Sequence, residues 1–312
     1  MDSKRMILID LGTNTAIFSL VEVSSDKLII SYEKSITTRI GQNIGRNNTI
    51  SEEVLNRNIA LIHNELKKLK TLYGTHIISG MTTEAIRNAT NGAECIARLN
   101  SELGTDIDVI TGEQEALYTW LAIKHLAKNK KNIAACDIGG GSTEIVSVKD
   151  KQVVLTKSFP IGVVRLEEQF HLTSDKKNLE PAKTKILNAF DFRIDKPDIL
   201  FLSGGTATST AAIMLGIKDY DPTLVEGTVI NKKQIDELME RLFSLSAHEL
   251  KELLRSDPGR FDVITGGVLM IRTLMEKTRP SKTIVTTYGP RHGYLLNKLN
   301  IKDIKGIVYK LK

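Results

Sequence analysis

The sequence contains only two cysteines, Cys95 and Cys136, among its 312 residues. Two cysteines cannot build a disulfide framework or a four-cysteine zinc site, so a disulfide-rich secreted scaffold and a zinc-finger-like domain are both excluded. Each cysteine lies in an apolar stretch, and we expect both to be buried free thiols in a reducing cytoplasm.

Aromatic residues and long apolar runs are also scarce. Only 5% of the residues are aromatic, and no segment interleaves them with Lys and Arg as single-strand nucleic-acid binders do. No apolar run approaches the ~20 residues that span a bilayer, and the first residues lack the long apolar core of a secretory signal. We therefore expect a cytoplasmic protein without a nucleic-acid or membrane partner.

The remaining composition is that of an ordinary globular protein. Hydrophobic residues make up 41% and charged residues 26% of the chain, and the length suggests about two domains of ~150 residues. Lys and Arg exceed Asp and Glu by 43 − 37 = 6. This excess is compatible with an anionic ligand, but a solvated basic surface would explain it equally well.

A unit at the start of the chain occurs a second time in its middle. In residues 6–23, an apolar strand ends at Asp10, a Gly-containing turn follows, and a second strand returns. Residues 133–148 repeat this order, with Asp137 in the position of Asp10. We interpret the repeat as an internal duplication of a strand–turn–strand unit. Each copy would present one Asp and one turn of backbone amides to a shared cleft.

Outside the repeat, segments with strand and helix patterns alternate, which indicates an α/β architecture. A strong helix is predicted over 113–128 and a buried strand over 198–202. We divide the chain into an N-terminal domain, 1–129, and a C-terminal domain, 130–312, and leave open that the last helix packs back on the first domain. The basic tail, 301–312, is interpreted as a solvated end.

Three Gly-containing turns follow predicted strands. Glycine lets a backbone approach a ligand closely, and successive amide N–H groups form anion-binding nests. Where a helix follows, as after the third turn, its positive end adds to the field. Each turn alone is as consistent with an ordinary tight turn, but the three together favour a phosphate or polyphosphate ligand. The candidate phosphate-binding residues in these turns are Gly12, Thr13, Asn14, Thr15, Gly139, Gly140, Gly141, Ser142, Gly204, Gly205 and Thr206.

Three carboxylates in the repeat suggest a magnesium site. Asp10 and Asp137 each end a buried strand, where a carboxylate costs desolvation free energy unless it is paired or binds a metal. Glu144 lies seven residues past Asp137 on the returning strand and can reach the same ion or its waters. Mg²⁺ takes one or two carboxylates together with phosphate oxygens and water. The alternatives are that the aspartates cap their own turns and that Glu144 is a solvated strand residue.

Two further carboxylates and one arginine are candidates for the chemistry. Glu113 and Glu115 lie in the first turn of the helix 113–128, where the helix dipole also stabilises a carboxylate. Either could activate a water for attack on phosphorus, and their spacing does not choose between them. Arg87 follows a predicted strand, and its guanidinium suits a phosphate oxygen, with a surface salt bridge as the alternative.

Several segments resemble those of the exopolyphosphatase/guanosine pentaphosphate phosphohydrolase family. Residues 137–144, Asp-Ile-Gly-Gly-Gly-Ser-Thr-Glu, match its second phosphate loop almost letter for letter. The resemblance covers about residues 5 to 300. The other similar segments, in the order of the family, are 9–15, 83–91, 111–116, 160–166, 203–206, 260–264 and 291–293.

The resemblance implies a fold and an activity. The implied fold is the duplicated ribonuclease-H-like fold of actin, heat-shock chaperone ATPases and sugar kinases. The implied activity is Mg²⁺-dependent hydrolysis of the terminal phosphoanhydride of inorganic polyphosphate or guanosine pentaphosphate. By resemblance, Glu115 is the catalytic residue that polarises the attacking water, and Arg87 helps to bind the terminal phosphates. The chain resembles the short two-domain members, which lack an extra C-terminal helical domain, and a homodimer is left open.

Two positions depart from the family pattern. The family often has Arg where this chain has Ile17, and a His-Gly pair where it has Glu226 and Gly227. We expect these departures to affect which ligand is held rather than the hydrolytic step.

Two other functions remain as alternatives. An ATP-dependent kinase of the same superfold would need an acceptor pocket and an Asp base, and no segment provides either convincingly. A non-catalytic sensor of a guanosine alarmone or of polyphosphate is disfavoured by the presence of both Glu115 and Asp137.

Overall fold

The computed structural model of the protein describes residues 4–24, 26–42, 44, 48–74, 76–127, 130–254 and 258–311. The strands in these residues are β1 (Lys4–Leu11), β2 (Thr15–Ser24), β3 (Lys27–Thr37), β4 (Ile77–Thr82), β5 (Asp106–Val109), β6 (Asn132–Ile138), β7 (Thr143–Lys149), β8 (Gln152–Phe159), β9 (Ile199–Ser203), β10 (Val229–Ile230), β11 (Lys282–Val285) and β12 (Gly306–Tyr309). They form two sheets of six strands.

The helices in the same residues are α1 (Glu52–Tyr73), α2 (Glu84–Asn88), α3 (Gly92–Leu103), α4 (Gly112–Ala127), α5 (Val163–Phe170), α6 (Leu179–Ala189), α7 (Gly204–Leu215), α8 (Pro222–Val225), α9 (Lys232–Ser244), α10 (Ala247–Leu253), α11 (Ile264–Thr278) and α12 (Pro290–Lys298). Not one of them combines the length and the apolar character that a membrane crossing requires.

The first sheet has the strand order β12-β3-β2-β1-β4-β5. β1, β2 and β3 are consecutive antiparallel strands, whereas β4 and β5 run parallel to β1. The core residues of β1 are apolar on both faces of the strand, with Ile7 and Ile9 on one side and Leu8 on the other, all at most 1% exposed. Because both faces of β1 are buried, its sequence is a continuous apolar run and does not alternate between apolar and polar residues.

The second sheet repeats this arrangement. Its order is β10-β11-β9-β6-β7-β8, with β6, β7 and β8 antiparallel and with β9 and β11 parallel to β6. The series β8-β7-β6-β9-β11 therefore corresponds to β3-β2-β1-β4-β5. Asp10 pairs with Ile17 across the first hairpin, and Asp137 pairs with Glu144 across the second. The topology confirms the predicted duplication and the ribonuclease-H-like fold.

Two helices lie between the sheets. The aromatic rings of Tyr118 in α4 and Tyr294 in α12 meet edge to face, with their centroids 5.9 Å apart. Around them, Ala122 and Ile123 of α4 and Leu295 of α12 belong to one buried apolar cluster. Because α4 precedes the second sheet and α12 follows it, this pair of helices connects the two halves. The predicted domain boundary lies between residues 129 and 130. Residues 128 and 129 are outside the described part of the chain, which resumes at residue 130.

The tail is not a solvated end, as its basic composition had suggested. Residues 306–309 form β12, which pairs in parallel with β3 at the edge of the first sheet. Ile304 and Ile307 are 7% and 5% exposed, and the Tyr288 hydroxyl donates a 2.9 Å hydrogen bond to the Ile307 carbonyl. The prediction was wrong because the charged residues of this segment conceal a short apolar strand whose partner is almost 280 residues away in sequence.

Candidate active site

The C-terminal ends of β1, β6 and β9 meet in a cleft between the two sheets. We call residues 12–15, after β1, loop 1 and residues 139–142, after β6, loop 2. The space between them, the central cleft, has a volume of about 90 Å³. Its lining consists of Asp10, Gly12, Thr13, Asn14, Thr15, Ile17, Thr83, Glu115, Asp137, Ile138, Gly139, Gly140, Gly141, Ser142, Ser203, Gly204, Gly205, Arg260, Pro290 and Arg291.

The two loops have the same backbone structure. The Gly12 amide donates a 3.0 Å hydrogen bond to the Thr15 carbonyl, and the Gly139 amide donates a 3.0 Å hydrogen bond to the Ser142 carbonyl. Each bond closes the turn between two antiparallel strands, so the duplication extends to the loops themselves. All eight loop residues predicted to bind phosphate line the central cleft.

Three carboxylates form a buried cluster beside the loops. Glu115, Asp137 and Glu144 each offer an oxygen, and these oxygens all lie within 4.8 Å of one another. Glu144 is placed opposite Asp137 by the pairing of β6 with β7, and Glu115 projects from the first turn of α4. Glu113, two residues earlier, is exposed. The position of α4 therefore brings Glu115, and not Glu113, into the cluster, which the spacing in the sequence could not predict.

The cluster has unsatisfied oxygens. Within the described part of the chain, Glu115 Oε2, Asp137 Oδ1 and Glu144 Oε2 are buried without a hydrogen-bond partner. The other Glu144 oxygen, Oε1, accepts a 2.6 Å hydrogen bond from the Ser158 hydroxyl. Buried carboxylate oxygens without partners are costly, and a hard divalent cation with oxygen ligands would offset that cost. The residues present thus fit a Mg²⁺ ion.

The same surroundings raise the pKa values of these carboxyl groups. Burial, reinforced by the charge of Asp10, raises the pKa of Asp137 to about 7. Burial also raises the pKa of Glu144 to about 7, against the hydrogen bond from Ser158. The pKa of Glu115 is raised well above its ordinary value, first by burial and then by Glu144 and Asp137. The cluster therefore favours a bound proton or a bound cation.

Asp10 is near this cluster but is not part of the group of close oxygens. It lines the central cleft and keeps part of its surface open to it. Burial raises its pKa to about 6, while the charge of Arg291 opposes this effect. The sequence predicts Asp10, Asp137 and Glu144 as metal ligands. In the structure, the carboxylate closest to both Asp137 and Glu144 is that of Glu115 and not that of Asp10. A metal role for Asp10 remains a prediction.

Arg87 does not line the central cleft. Its Nη1 donates a 2.8 Å hydrogen bond to the Ile110 carbonyl and lies 3.6 Å from Glu115 Oε2. The positive charge of Arg87 opposes the rise in the pKa of Glu115. In this arrangement Arg87 orients the carboxylate, and the predicted contact with phosphate remains untested.

Two other arginines line the central cleft, and the sequence alone gave them no role. Arg291, in the first turn of α12, pairs with Glu33 at 3.1 Å and donates to the Thr287 carbonyl. The guanidinium of Arg260 lies against Gly205 at the start of α7. The signal that could have identified them was their position in two segments that resemble the family, 260–264 and 291–293.

The third predicted turn is the first turn of a helix. The sequence predicts a turn over 203–206 and a helix from Ala207, but α7 already begins at Gly204. Glycine has a low helix propensity in a helix interior, but this does not keep it from the first turn of a helix. Gly204 and Gly205 line the central cleft, whereas Thr206 does not. The methyl group of Thr206 instead packs against Gly267 of α11. The phosphate role predicted for Thr206 has no support from its position.

A second space, the side cavity, adjoins the central cleft. It has a volume of about 410 Å³. The two share Ile17, Gly204, Gly205, Arg260 and Arg291. The remaining lining of the side cavity is Glu33, Lys34, Ser35, Thr37, Thr208, Ser209, Tyr220, Pro222, Thr287 and Leu311. Hydroxyl and apolar groups predominate in this lining, which distinguishes it from the carboxylate-rich central cleft.

Comparison with known proteins gives relatives along nearly the whole chain. A bifunctional 3-dehydroquinate synthase/phosphatase of Fusobacterium nucleatum is 26% identical over 290 residues, which cover 86% of this chain and 42% of that protein. Exopolyphosphatase 2 of Mycobacterium tuberculosis is 25% identical over 295 residues, 88% of this chain and 91% of that protein. The chain thus spans less than half of the first relative and most of the second.

Solved structures show the same fold. A Ppx/GppA family member of Aquifex aeolicus superposes with a TM-score of 0.78 at 26% identity, covering 96% of this chain and 98% of that one. An exopolyphosphatase of Cytophaga hutchinsonii superposes with a TM-score of 0.84 at 21% identity, covering 95% and 98% of the two chains. The profile of the Ppx/GppA phosphatase family matches residues 19–302. With this match over most of its length, and with the duplicated loops around one cleft, the chain belongs to the Ppx/GppA phosphatase family.

Proposed function

We propose that the protein is a Mg²⁺-dependent hydrolase that releases the terminal phosphate of inorganic polyphosphate, guanosine pentaphosphate, or both. The observation that carries the proposal is the buried cluster of Glu115, Asp137 and Glu144, each with one oxygen that lacks a hydrogen-bond partner among the described residues, beside the cleft that the two loops line. Phosphoryl transfer depends mainly on positioning and on charge neutralisation, so these parts suffice for the reaction.

The terminal phosphate would bind between loop 1 and loop 2. Both loops are closed by a backbone hydrogen bond, so their remaining amides are held in place before a ligand arrives, which reduces the cost of ordering on binding. The N-terminus of α7 adds a partial positive charge at Gly204 and Gly205. Arg260 and Arg291, both at the cleft surface, supply full positive charges for the following phosphate groups.

Glu115 would accept a proton from the attacking water. Its Oε2 accepts no hydrogen bond from the described residues, and Glu115 lines the central cleft, so this oxygen can accept one from a water there. The raised pKa of Glu115 makes its ionised form a stronger base than an exposed carboxylate. Arg87, 3.6 Å away, favours that ionised form and fixes its orientation.

Asp137 and Glu144 would hold the Mg²⁺ ion, with Asp10 able to contribute from the cleft wall. When bound, the ion would neutralise the charge that develops on the phosphate oxygens. The Ser158 hydroxyl donates a 2.6 Å hydrogen bond to Glu144 Oε1, whereas Glu144 Oε2 has no hydrogen-bond partner among the described residues. Ser158 thus orders the cluster without occupying the oxygen that a cation would need.

The side cavity supports guanosine pentaphosphate as a substrate beside polyphosphate. Two of the cations in its lining are paired with carboxylates, Lys34 with Glu65 at 2.7 Å and Arg291 with Glu33 at 3.1 Å. Ile17, at the junction with the central cleft, adds an apolar surface where the family often has Arg. Beyond the two arginines that it shares with the central cleft, the hydroxyl and apolar lining of the side cavity suits a neutral organic group better than further phosphates.

Phosphate release tests the proposal. Tripolyphosphate and guanosine pentaphosphate would be compared side by side, each with Mg²⁺ and with a chelator. We expect Mg²⁺-dependent release of one phosphate per bond cleaved without any acceptor. Transfer of the phosphoryl group to an added acceptor, without release of inorganic phosphate, would indicate a kinase, and tight binding with neither release nor transfer would indicate a sensor.

A further inference from the structure

Glu84 is a buried carboxylate outside the three-carboxylate cluster. It is the first residue of α2 and is only 1% exposed. It does not line the central cleft, and the proposed chemistry gives it no role. A carboxylate buried so completely requires strong partners.

The partners of Glu84 come from both halves of the molecule. The Thr13 hydroxyl of loop 1 donates a 3.2 Å hydrogen bond to Glu84 Oε2. From the second half, Arg165 Nη2 donates to Glu84 Oε1. Arg165 Nε donates a 3.0 Å hydrogen bond to the Gly141 carbonyl of loop 2. Loop 1 and loop 2 are thus joined through one carboxylate and one guanidinium.

Glu84 also touches loop 2 directly. A Cβ atom added to Gly141 would overlap the Glu84 carboxylate and would lie 2.9 Å from the Thr13 hydroxyl oxygen. Only glycine leaves room for this approach. The three groups therefore form a compact contact immediately behind the two loops.

We infer that Glu84 and Arg165 are positioning residues that fix the separation of loop 1 and loop 2. The inference rests on the proposed function, because those loops are its phosphate site. The loops belong to different sheets, and in the described part of the chain no backbone hydrogen bond joins one loop to the other. Small errors in such a distance are costly, since a misplacement of ~1 Å can reduce a rate ~10²-fold.

Glu84→Gln and Arg165→Lys test the inference. The first keeps the shape of the side chain but removes the charge that holds Arg165. The second keeps the charge but cannot hold Glu84 and the Gly141 carbonyl in the same planar fork. With tripolyphosphate, we expect each variant to lose ~10- to 100-fold in kcat/KM through both a higher KM and a lower kcat. The double variant should be no slower than the slower single variant, because each change breaks the same link.

Glu276→Gln provides a matched control for stability. Glu276 is partly buried and pairs with Lys183 at 2.8 Å, but both residues lie in the second half and away from the cleft. Because its side chain is 26% exposed, we expect Glu276→Gln to lower Tm by less than Glu84→Gln does and to leave kcat/KM unchanged.

A binding measurement tests the positioning role of Glu84 independently of whether the protein hydrolyses its ligand. In the Glu115→Gln background, Glu84→Gln should weaken tripolyphosphate binding about tenfold, whether or not the wild-type protein hydrolyses it. Absence of phosphate release by the wild-type protein would refute the hydrolase proposal alone. The positioning role is refuted if Glu84→Gln and Arg165→Lys keep the wild-type kcat/KM and Kd, or if their effects on kcat/KM multiply in the double variant.

Discussion

Glu113 and Glu115 form a natural pair of test and control residues in the first turn of α4. Glu115 is buried in the carboxylate cluster, whereas Glu113 is exposed. We expect Glu115→Gln to retain the fold and ligand binding and to lose ~10²–10⁴ in the rate of phosphate release, since only the basic oxygen is removed. Glu113→Gln should remain as active as the wild-type protein. The assignment is wrong if the two variants behave the other way round.

Asp137 should make the stability of the metal-free protein depend on pH. Its pKa is about 7 in the folded chain, against an ordinary value of 3.8. The folded state therefore binds the proton more tightly, and its stability falls as the pH rises from about 4 to about 7. We expect metal-free Asp137→Asn to be more stable than wild type at pH 8, by about 1 kcal/mol or more, and to match it near pH 4.

Thermal unfolding with and without Mg²⁺ checks this prediction. At pH 8, Mg²⁺ should raise the Tm of the wild-type protein and that of Asp137→Asn much less. Asp198→Asn is a control of opposite sign, because hydrogen bonds from the Asn132 and Lys131 amides lower the pKa of Asp198. It should destabilise the protein at pH 8. A metal-free Asp137→Asn that is less stable than wild type at pH 8 would show that the carboxylate has a structural partner.

Single residues differ in how far the sequence determines them. The loop residues and Asp137 could be placed from the sequence because each directly follows a strand, and the chain itself fixes that relation. The spacing alone could not choose Glu115 over Glu113, which only the family resemblance favoured, and the exclusion of Arg87 from the cleft lining could not be predicted. Both depend on the rotation of a helix against the opposite sheet, which is a tertiary property.

At the scale of elements, α7 carries a glycine with positive φ at each end. Gly204, its first residue, has φ +87°, and a Cβ there would overlap Asp137 Oδ1. Gly216, its C-cap, has φ +68° and open space around it. Both Gly→Ala changes should cost about 1 kcal/mol in stability from backbone strain. Only Gly204→Ala should also reduce phosphate release, because it displaces Asp137.

Tm and kcat measured on both α7 variants check this prediction. Gly216→Ala serves as the control for backbone strain at the same helix. Equal activity in the two variants would mean that the close approach of α7 to Asp137 has no part in turnover.

The elements predicted well from the sequence are those with local signals. The duplicated hairpins and α4 have clear apolar patterns and were predicted nearly at their observed bounds, with residue 128 outside the described part of the chain. β12 and α12 were not predicted. β12 is short and surrounded by charged residues. α12 begins at Pro290 directly after its N-cap Gly289, and Gly-Pro on its own indicates a turn. Only their packing against the first half makes their structure apparent.

At the scale of the whole molecule, loop 1 and loop 2 must lie close together to share a ligand, as they do here where Glu84 and Arg165 join them. A polyphosphate that contacts both loops stabilises the arrangement in which they are close. We expect a non-hydrolysable polyphosphate to reduce the radius of gyration measured by solution scattering. The bending should occur where the chain crosses between the halves, near residues 129–132, of which 129 lies outside the described residues. An unchanged radius at saturating ligand would mean that the cleft is preformed.

The return of β12 to the first sheet has a consequence for the order in which this chain acquires its structure. β3 is synthesised by residue 37, yet its partner strand is complete only at residue 309. During synthesis, the backbone groups along that edge of β3 have no strand beside them while about 270 further residues emerge. An exposed edge of this kind can pair with another nascent chain. The late strand thus makes the first half dependent on the second for protection from aggregation, and contacts of such long range slow the final step of folding.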